Sequence, residues 1–572
     1  MNTKTAGSTF EGKSAEQLPI PKNQLHGWRH FWGIYAGEHV AATEFVIGAT
    51  FVTLGARTSD ILIGLIIGNV LAILSWTLIT APIATQTRLS LYTYLHKIAG
   101  SSMTRLYNWA NVLIFTVISA AMITVSSSAV RFVFGIPAQL AWYPTSVPFV
   151  LIVLAVGVIV VLVAMYGFKA VSEFSGICGP WLLVMFGAGA LVLMPELAND
   201  VLGRTSLSGF SDFISIGDQS IWTGINAKGE PGIGLLEVIG FAWAANSITH
   251  IGLIDMALFR FAKKPIYGLC TSAGMIFGHY MAWVAAGIMG AGTAIVVQKS
   301  IGELDPGDVA FQALGLSGFV IVIIAGWTTA NANLYRAGLA AQAIFSKYTR
   351  QQTTLAVGLV TVVVACFPFV FSSMLPLLTY AGLIVVPVGA IVTTEHFIFP
   401  RIGLTRYWGE YKQLNQNVPA IASWGIGLVF GFGLNTLDVM SFYYLFVPTW
   451  FVTAICYTLL ARKFGAGEEY PEQQAEMEAF DQRVAQYQAA QAGLTAPAIK
   501  DTSSFSRGLH VLAWGSLGIT LLLALITMFG SPDMEVYRVN RERFRTIGFI
   551  CTIVYFVAAY WAMRREKSLQ ST

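Results

Sequence analysis

About fourteen apolar stretches, most of them about 18 residues or longer, run through this 572-residue chain. Hydrocarbon gives a backbone N–H or C=O no partner, so such stretches fold as helices that cross a bilayer. Their limits, read from hydropathy, are 28–54, 60–84, 106–134, 147–167, 173–195, 234–257, 267–297, 315–345, 353–372, 374–398, 418–437, 440–462, 509–530 and 546–563. Charged residues make up only 11% of the chain, against roughly 25% in soluble domains. The fold class is therefore an all-α polytopic membrane protein, with the lipid bilayer as its surroundings. A net charge of +4, with the basic residues in short loops, speaks for topology and against nucleic acid as a partner. Cys178, Cys270, Cys366, Cys456 and Cys551 are scattered over apolar stretches and show neither metal spacing nor a disulfide pattern. The polar first 25 residues have no apolar h-region, so no cleavable signal is expected and insertion begins with the first span.

Basic residues set the orientation. Arg88, Lys97 and Arg105 follow span two, Lys169 follows span four, and Arg260, Lys263 and Lys264 follow span six. Lys347 and Arg350 follow span eight; Arg401, Arg406 and Lys412 follow span ten. All fall on the side of the N-terminus (Lys13, Lys22, Arg29), which is expected to be cytoplasmic, in a plasma membrane of the bacterial inner-membrane type. The connections 196–233 and 298–314 fall outside and carry Asp200, Asp212, Asp218, Glu303, Asp305 and Asp308. An even number of spans puts both termini inside, and Arg564, Arg565 and Lys567 agree. One loop disagrees. Arg538, Arg541, Arg543 and Arg545 precede the last span and would lie outside, so either that pair is miscounted or the rule fails locally. The hydrophilic segment 464–508 contains a helix-forming run from Pro471 to Gly493 without a wide apolar stripe, expected to be a solvated helix or a linker.

Two spans look interrupted. The first holds Glu38, His39 and Glu44 near its middle, and the sixth holds Trp243, Asn246, Ser247 and His250. A carboxylate at the bilayer centre costs roughly 2.5–3.5 kcal/mol, so it has a partner or a task. Spans one and six also open two five-span halves, and an odd-numbered unit inverts its second copy. Interrupted helices at matching positions of inverted halves point to a midplane transport site. The boundaries that follow are an N-terminus 1–27, a first repeat 28–195, a connection 196–233, a second repeat 234–398, spans eleven and twelve at 399–463, the hydrophilic segment 464–508, an accessory pair 509–563 and a tail 564–572.

Span eight carries the densest polar load, Gly326-Trp327-Thr328-Thr329-Ala330-Asn331-Ala332-Asn333-Leu334-Tyr335. Paired hydroxyls and nearby carbonyls make an all-oxygen setting that suits a hard cation such as Na⁺. The alternative is that each hydroxyl bonds back to a carbonyl one turn earlier.

Residues 326–340, Gly-Trp-Thr-Thr-Ala-Asn-Ala-Asn-Leu-Tyr-Arg-Ala-Gly-Leu-Ala, resemble the eighth-span signature of the nucleobase–cation symporter family, which holds cytosine, purine, uracil, allantoin and hydantoin permeases. Thr53-Leu54-Gly55 with Ile63-Gly64-Leu65-Ile66-Ile67-Gly68-Asn69, and Asp255 through Arg260-Phe261-Ala262-Lys263, are similar to further segments of that family. The resemblance covers roughly residues 25–460. It implies a leucine-transporter-like five-plus-five inverted repeat, here with about four extra C-terminal spans, and Na⁺- or H⁺-coupled uptake by alternating access. It implies a Na⁺ site from Thr328, Thr329 and the Ala325 carbonyl, completed by carbonyls within 37–44. Departures stand beside it: Ala330 occupies the place of the substrate-binding Asn, Asn331 that of an Asp. Span three offers Thr124, Ser126, Ser127 and Ser128 where a stacking tryptophan is usual.

The candidate substrate residues are Glu44, Glu38, Trp243, Asn246, Ser247, Asn331 and Asn333. For Glu44 the alternative is pairing with His39, His250 or water; for Trp243 it is packing. His279 and the pair Glu395-His396 read as structural hydrogen-bonders. The expected function is cation-coupled symport of a nucleobase-like or other small nitrogenous heterocycle, with Na⁺ or H⁺ as coupling ion and no other cofactor. The alternatives are symport of a cationic or vitamin-like solute, a channel, or a transporter-like sensor using 464–508. No paired-histidine metal motif, Walker loop or nucleophile elbow is present, so neither an enzyme nor an ATP-driven pump is expected. Thr328→Ala and Thr329→Ala should weaken sodium dependence before they weaken folding; unchanged sodium stimulation of uptake in both would remove the sodium-site assignment.

Overall fold

Every one of those stretches is helical in the computed structural model, which describes residues 10–11, 17–166, 168–491 and 503–571. Lys13 lies outside the described residues, as do the side chains of Glu38, Lys169 and Lys567. Among the described residues no strand forms, and eleven helices are long and apolar enough to cross a membrane. The three remaining spans fall short for identifiable reasons. Span one is two half-helices, Trp28–Glu38 and Thr43–Thr53. Span six is Leu235–Ala244, Ser247–His250 and Met256–Phe259. Span nine, Arg350–Ala365, stops short of the expected limit of 372 because Pro368 cannot continue its hydrogen-bond ladder, and a separate turn Phe369–Ser372 follows.

The other boundaries shift outward where polar helix extends beyond the apolar window. Span three is Leu91–Val133, kinked at Gly100 (φ 76°), so its first turns precede the expected start at 106. The last helix is Met534–Ser571 rather than 546–563. Span two is Thr58–Thr87, four is Val147–Tyr166, five is Phe168–Leu202 and seven is Pro265–Val297. Span eight is Leu316–Ile344, ten is Met374–Ile402, eleven is Val418–Thr436, twelve is Phe442–Ala466 and thirteen is Ser504–Phe529.

Backbone bonds between connections gather one set of helix ends with the N-terminal segment: Ile20 N–H to Arg88 O at 3.0 Å, His26 N–H to Phe261 O at 2.7 Å, Ser102 N–H to Asn415 O at 3.0 Å. The opposite set is tied by Ala227 N–H to Thr53 O at 2.9 Å and Ile233 N–H to Leu54 O at 3.1 Å.

Lipid is as apolar as leucine, so helices associate through close approach and polar bonds rather than hydrophobic burial. Both devices appear where spans three, four, eight and nine cross. Gly157 of span four fits against Val362 of span nine, and Gly358 of span nine fits against Val161 of span four. Gly326 of span eight lies on Ser126 and the Met122 carbonyl of span three. Ser119 Oγ donates to Ala330 O at 3.0 Å, Ser126 Oγ to Ile323 O at 3.3 Å and Thr124 Oγ1 to Ala365 O at 2.6 Å. The hydroxyls of span three therefore bind helices together.

The final two stretches form a helical hairpin, and two of its four arginines, Arg541 and Arg545, have partners. Arg541 pairs with Glu196 at 3.2 Å and donates to Gln312 O at 2.7 Å; Arg545 donates to that same carbonyl. They serve as anchors onto span five and onto the helix Pro306–Leu314. The hairpin is further held to span five by Trp181 Nε1–H to Thr552 Oγ1 at 3.1 Å and Tyr555 O–H to Ile177 O at 2.6 Å. The hydrophilic helix Pro471–Gln491 is mostly exposed as expected, yet it is docked: Arg483 pairs with Glu11 at 2.9 Å, Gln488 donates to Pro19 O at 2.6 Å, and Val484 is buried.

Span seven seats the break of span one. Gly274 and Gly278 lie against His39, and a Cβ at 278 would collide with the His39 carbonyl. Gly278→Ala should destabilise the protein by about 2 kcal/mol or more through overpacking, whereas Gly433→Ala, with open space around it, should be neutral or better; thermal melting in detergent checks both. Arg541→Ala should cost about 3 kcal/mol, since it strands Glu196, while Arg543→Ala at the exposed neighbouring position should cost close to nothing.

Candidate functional site

The two interrupted spans meet at a polar cluster that span seven completes. A helix that stops inside a membrane leaves carbonyls and N–H groups without ladder partners, and these need a protein or a bound solute. In span one the gap is His39–Ala42, and the second half-helix begins with Glu44 in its first turn. That position sets the carboxylate at the positive end of the half-helix. In span six the chain leaves helix at Ala245-Asn246, with Asn246 at φ −110° and ψ 19°.

Span seven lies across both gaps and widens where it does so: Met275–Ala282 makes i→i+5 turns, a form often found at functional sites. The widening presents His279 and Trp283. Glu44 is buried; Trp283 Nε1–H donates to its Oε2, and Thr43 Oγ1–H donates to Oε1 at 2.9 Å. His279 stacks on Trp283 with ring centres 4.2 Å apart and 18° between planes. The Asn246 amide nitrogen lies 3.2 Å from both ring nitrogens of His279. His39 stands edge-on to His279 at 5.3 Å. A single path of contacts, Glu44–Trp283–His279–Asn246, thus runs from the break of span one to the break of span six.

A second network lies toward the N-terminal side. Asp255 Oδ2 accepts from Tyr35 O–H at 2.6 Å and from Trp76 Nε1–H at 2.8 Å, which joins spans one, two and six. Trp76 sits in another widened stretch, Trp76–Thr80, edge-on to His250 at 5.0 Å. His250 Nε2 lies 2.9 Å from the Trp243 carbonyl that the break frees, and its buried Nδ1 has no hydrogen-bond partner.

Each sequence candidate can now be placed. Glu44 is central, and its protein partners are Trp283 and Thr43 rather than His39 or His250. Glu38 ends the first half-helix. Asn246 lies in the cluster; Ser247 is buried beside it, against Gly382 of span ten. The Trp243 indole N–H donates to Ser75 Oγ at 3.1 Å, and its half-buried ring packs edge-on to Phe446 of span twelve at 5.0 Å. In span eight the back-bonding arrangement holds. Thr328 Oγ1 donates to Ile324 O at 2.9 Å and Thr329 Oγ1 to Ala325 O at 2.9 Å. Their protons are used this way, while the oxygen lone pairs stay available to a cation. Asn331 donates to Trp327 O and Asn333 to Thr329 O, both at 2.9 Å, and the buried Oδ1 of Asn331 has no partner. Ala330 is fully buried against span three, with its carbonyl taken by Ser119.

His279 and Trp283 are what sequence reasoning missed. A lone histidine in a span reads as structural. The available signal was Gly274-x-x-x-Gly278 beside it, a small-residue face that allows span one to approach. Glu395 and His396 match their structural reading: Glu395 accepts from Tyr457 O–H and from Tyr407 N–H, and His396 binds Tyr94 O–H at 3.0 Å and Gln86 Oε1 at 2.8 Å.

No protein-family model and no curated protein matches the chain. Solved structures do. The inward facing conformation of Mhp1 superimposes with a TM-score of 0.61 at 14% identity, over 82% of this chain and 97% of that one. Mhp1, described as a nucleobase-cation-symport-1 family transporter, in a closed conformation with bromovinylhydantoin bound, gives 0.60 at 14% identity, over 83% and 99%. At such identity the likeness establishes the fold: the chain is built on the leucine-transporter-like five-plus-five architecture, with further helix beyond it.

Proposed function

We propose that this protein is a secondary transporter that moves a small nitrogenous heterocycle together with Na⁺ or H⁺ by alternating access. The observation that carries this reading is the path Glu44–Trp283–His279–Asn246, which links the two interrupted spans at mid-depth. Interrupted spans are where transporters of this architecture place their cargo. The likeness to Mhp1, described as a nucleobase-cation-symport-1 family transporter with bromovinylhydantoin bound, supports the solute class.

The residues divide the work by chemistry. The Asn246 amide both donates and accepts, which suits the amide-like edge of a nucleobase or hydantoin ring. Glu44 accepts N–H groups, and a bound ring with two such donors would share it with Trp283. The Trp283–His279 stack offers an aromatic face. Glu38, Ser247, Asn331 and Asn333 remain substrate candidates around this centre, with Trp243 a packing residue behind it. Thr328, Thr329 and the Ala325 carbonyl supply oxygens for Na⁺, with carbonyls of the first gap completing the shell. Asp255, holding Tyr35 and Trp76, makes spans one, two and six move as one body when access alternates. On the distribution of basic residues the N-terminal side is cytoplasmic and the membrane is the plasma membrane.

A second reading keeps this mechanism and changes the cargo to a cationic or vitamin-like solute; the buried Glu44 carboxylate favours it. Uptake into proteoliposomes of nucleobases, hydantoins, allantoin and vitamin-like cations, with and without a sodium gradient, separates the two. Uptake of no member under either a sodium or a proton gradient would overturn both. Glu44→Gln should lower uptake about tenfold or more, the worth of one charge-assisted hydrogen bond, without loss of the folded state. A shift of its pH optimum would assign the coupling to protons.

A further inference from the structure

A cavity separate from the cluster that joins the two breaks shares no residue with it. It has a volume of about 750 Å³ and opens on the N-terminal side, between the ends of spans two and ten and the docked helix Pro471–Gln491. None of its lining residues belongs to spans one, six, seven or eight, so it stands apart from the proposed transport path. The volume falls within the range of small-molecule sites.

Its charges are arranged unevenly. The floor holds Arg88 and Arg406, both half-buried, contributed by different connections. Arg88 donates to Ile20 O at 2.8 Å, and Arg406 lies over the Tyr407 ring at 4.8 Å. Among the described residues neither guanidinium has a carboxylate within ion-pair distance. Lys97, the third cation, already pairs with Glu410 at 3.6 Å. The acids that act on them do so from beyond contact, Glu395 on Arg406 and Asp481 on Arg88, so a bound anion would add the direct charge-assisted hydrogen bonds that these acids do not make. Burial lowers the Arg88 pKa, and Asp481 across the gap opposes this only from a distance. The backbone adds to the picture. Arg88 and Tyr407 both adopt left-handed conformations, φ 56° and 63°, unusual for residues other than glycine and frequent at ligand clamps. The rim carries Glu478 and Asp481 on exposed positions of the docked helix.

We propose that this cavity binds a small organic oxyanion, of the carboxylate or phosphate type, held by Arg88 and Arg406 beneath the helix Pro471–Gln491. The guanidinium fork matches such a group in two parallel hydrogen bonds. The rim carboxylates oppose high charge density and so favour ligands of low charge. Because the same helix holds the N-terminal segment through Arg483–Glu11 and Gln488–Pro19, occupancy stiffens the contact between that helix and the span ends.

The test is binding, independent of any uptake. The full chain in phosphatidylcholine nanodiscs is titrated with citrate and with pyrophosphate and followed by thermal shift; a parallel sample is reconstituted with phosphatidylglycerol. A soluble ligand is indicated by stabilisation with citrate or pyrophosphate, and a lipid headgroup by stabilisation with phosphatidylglycerol alone. In either case Arg406→Gln should weaken the effect about tenfold or more, and Arg88→Gln likewise. Glu478→Gln, an exposed change that leaves folding intact, should tighten binding a few-fold by removing a like charge from the rim. Absence of stabilisation in all three conditions, or stabilisation that is the same in wild type, Arg406→Gln and Glu478→Gln, overturns the proposal.

Discussion

The structure depends on one constraint: within hydrocarbon, a backbone group that leaves its helix must find a partner inside the protein. Spans one and six leave theirs part-way along their length. The neighbours supply what the breaks require. Gly274 and Gly278 let span seven lie directly on the His39 peptide, and the imidazole of His250 meets the freed Trp243 carbonyl at 2.9 Å. What the breaks do not spend internally is concentrated in one place, between Glu44, Trp283, His279 and Asn246.

A common local device recurs in spans two, seven and ten. Widened helical turns occur at Trp76–Thr80, Met275–Ala282 and Thr394–Ile398, and each carries buried polar side chains. An i→i+5 turn adds a residue per step and rotates the following side chains, so a polar group that would face lipid is turned inward. Trp76 thereby reaches Asp255, His279 reaches Asn246, and Glu395 reaches Tyr457. The spans that frame the site are held by a different chemistry. Hydroxyls of span three donate to carbonyls of spans eight and nine, and glycines of spans four and nine accept each other's valines. The frame is thus fixed by close contact, while the interrupted spans are joined by directed hydrogen bonds.

The sequence made the span count legible, because each stretch had to be apolar over the bilayer's width. It also exposed the two breaks, because Glu44 and Asn246 are too polar for an unbroken span. Boundaries were less legible where polar helix ran beyond the membrane, as at Leu91 and Met534. Of the arginines before the last span, Arg541 and Arg545 find partners that are distant in sequence, Glu196 and the Gln312 carbonyl, which a count of charges along the chain does not include. Among site residues, Glu44 and Asn246 came from their improbable placement in an apolar stretch. The partner of Trp243 was not legible, since an indole has a polar edge and nothing local says that Ser75 will occupy it.

By itself, then, the sequence determined which stretches form apolar helices, where two of them fail, and which polar groups had to be buried, because hydrocarbon penalises each of these locally. Only the tertiary structure decided which groups meet. His279 and Trp283 acquire their place from the seating of span seven on the gap of span one, and the paired threonines of span eight spend their protons on their own helix. Those outcomes rest on contacts between residues far apart in the chain, which hydropathy along the chain does not encode.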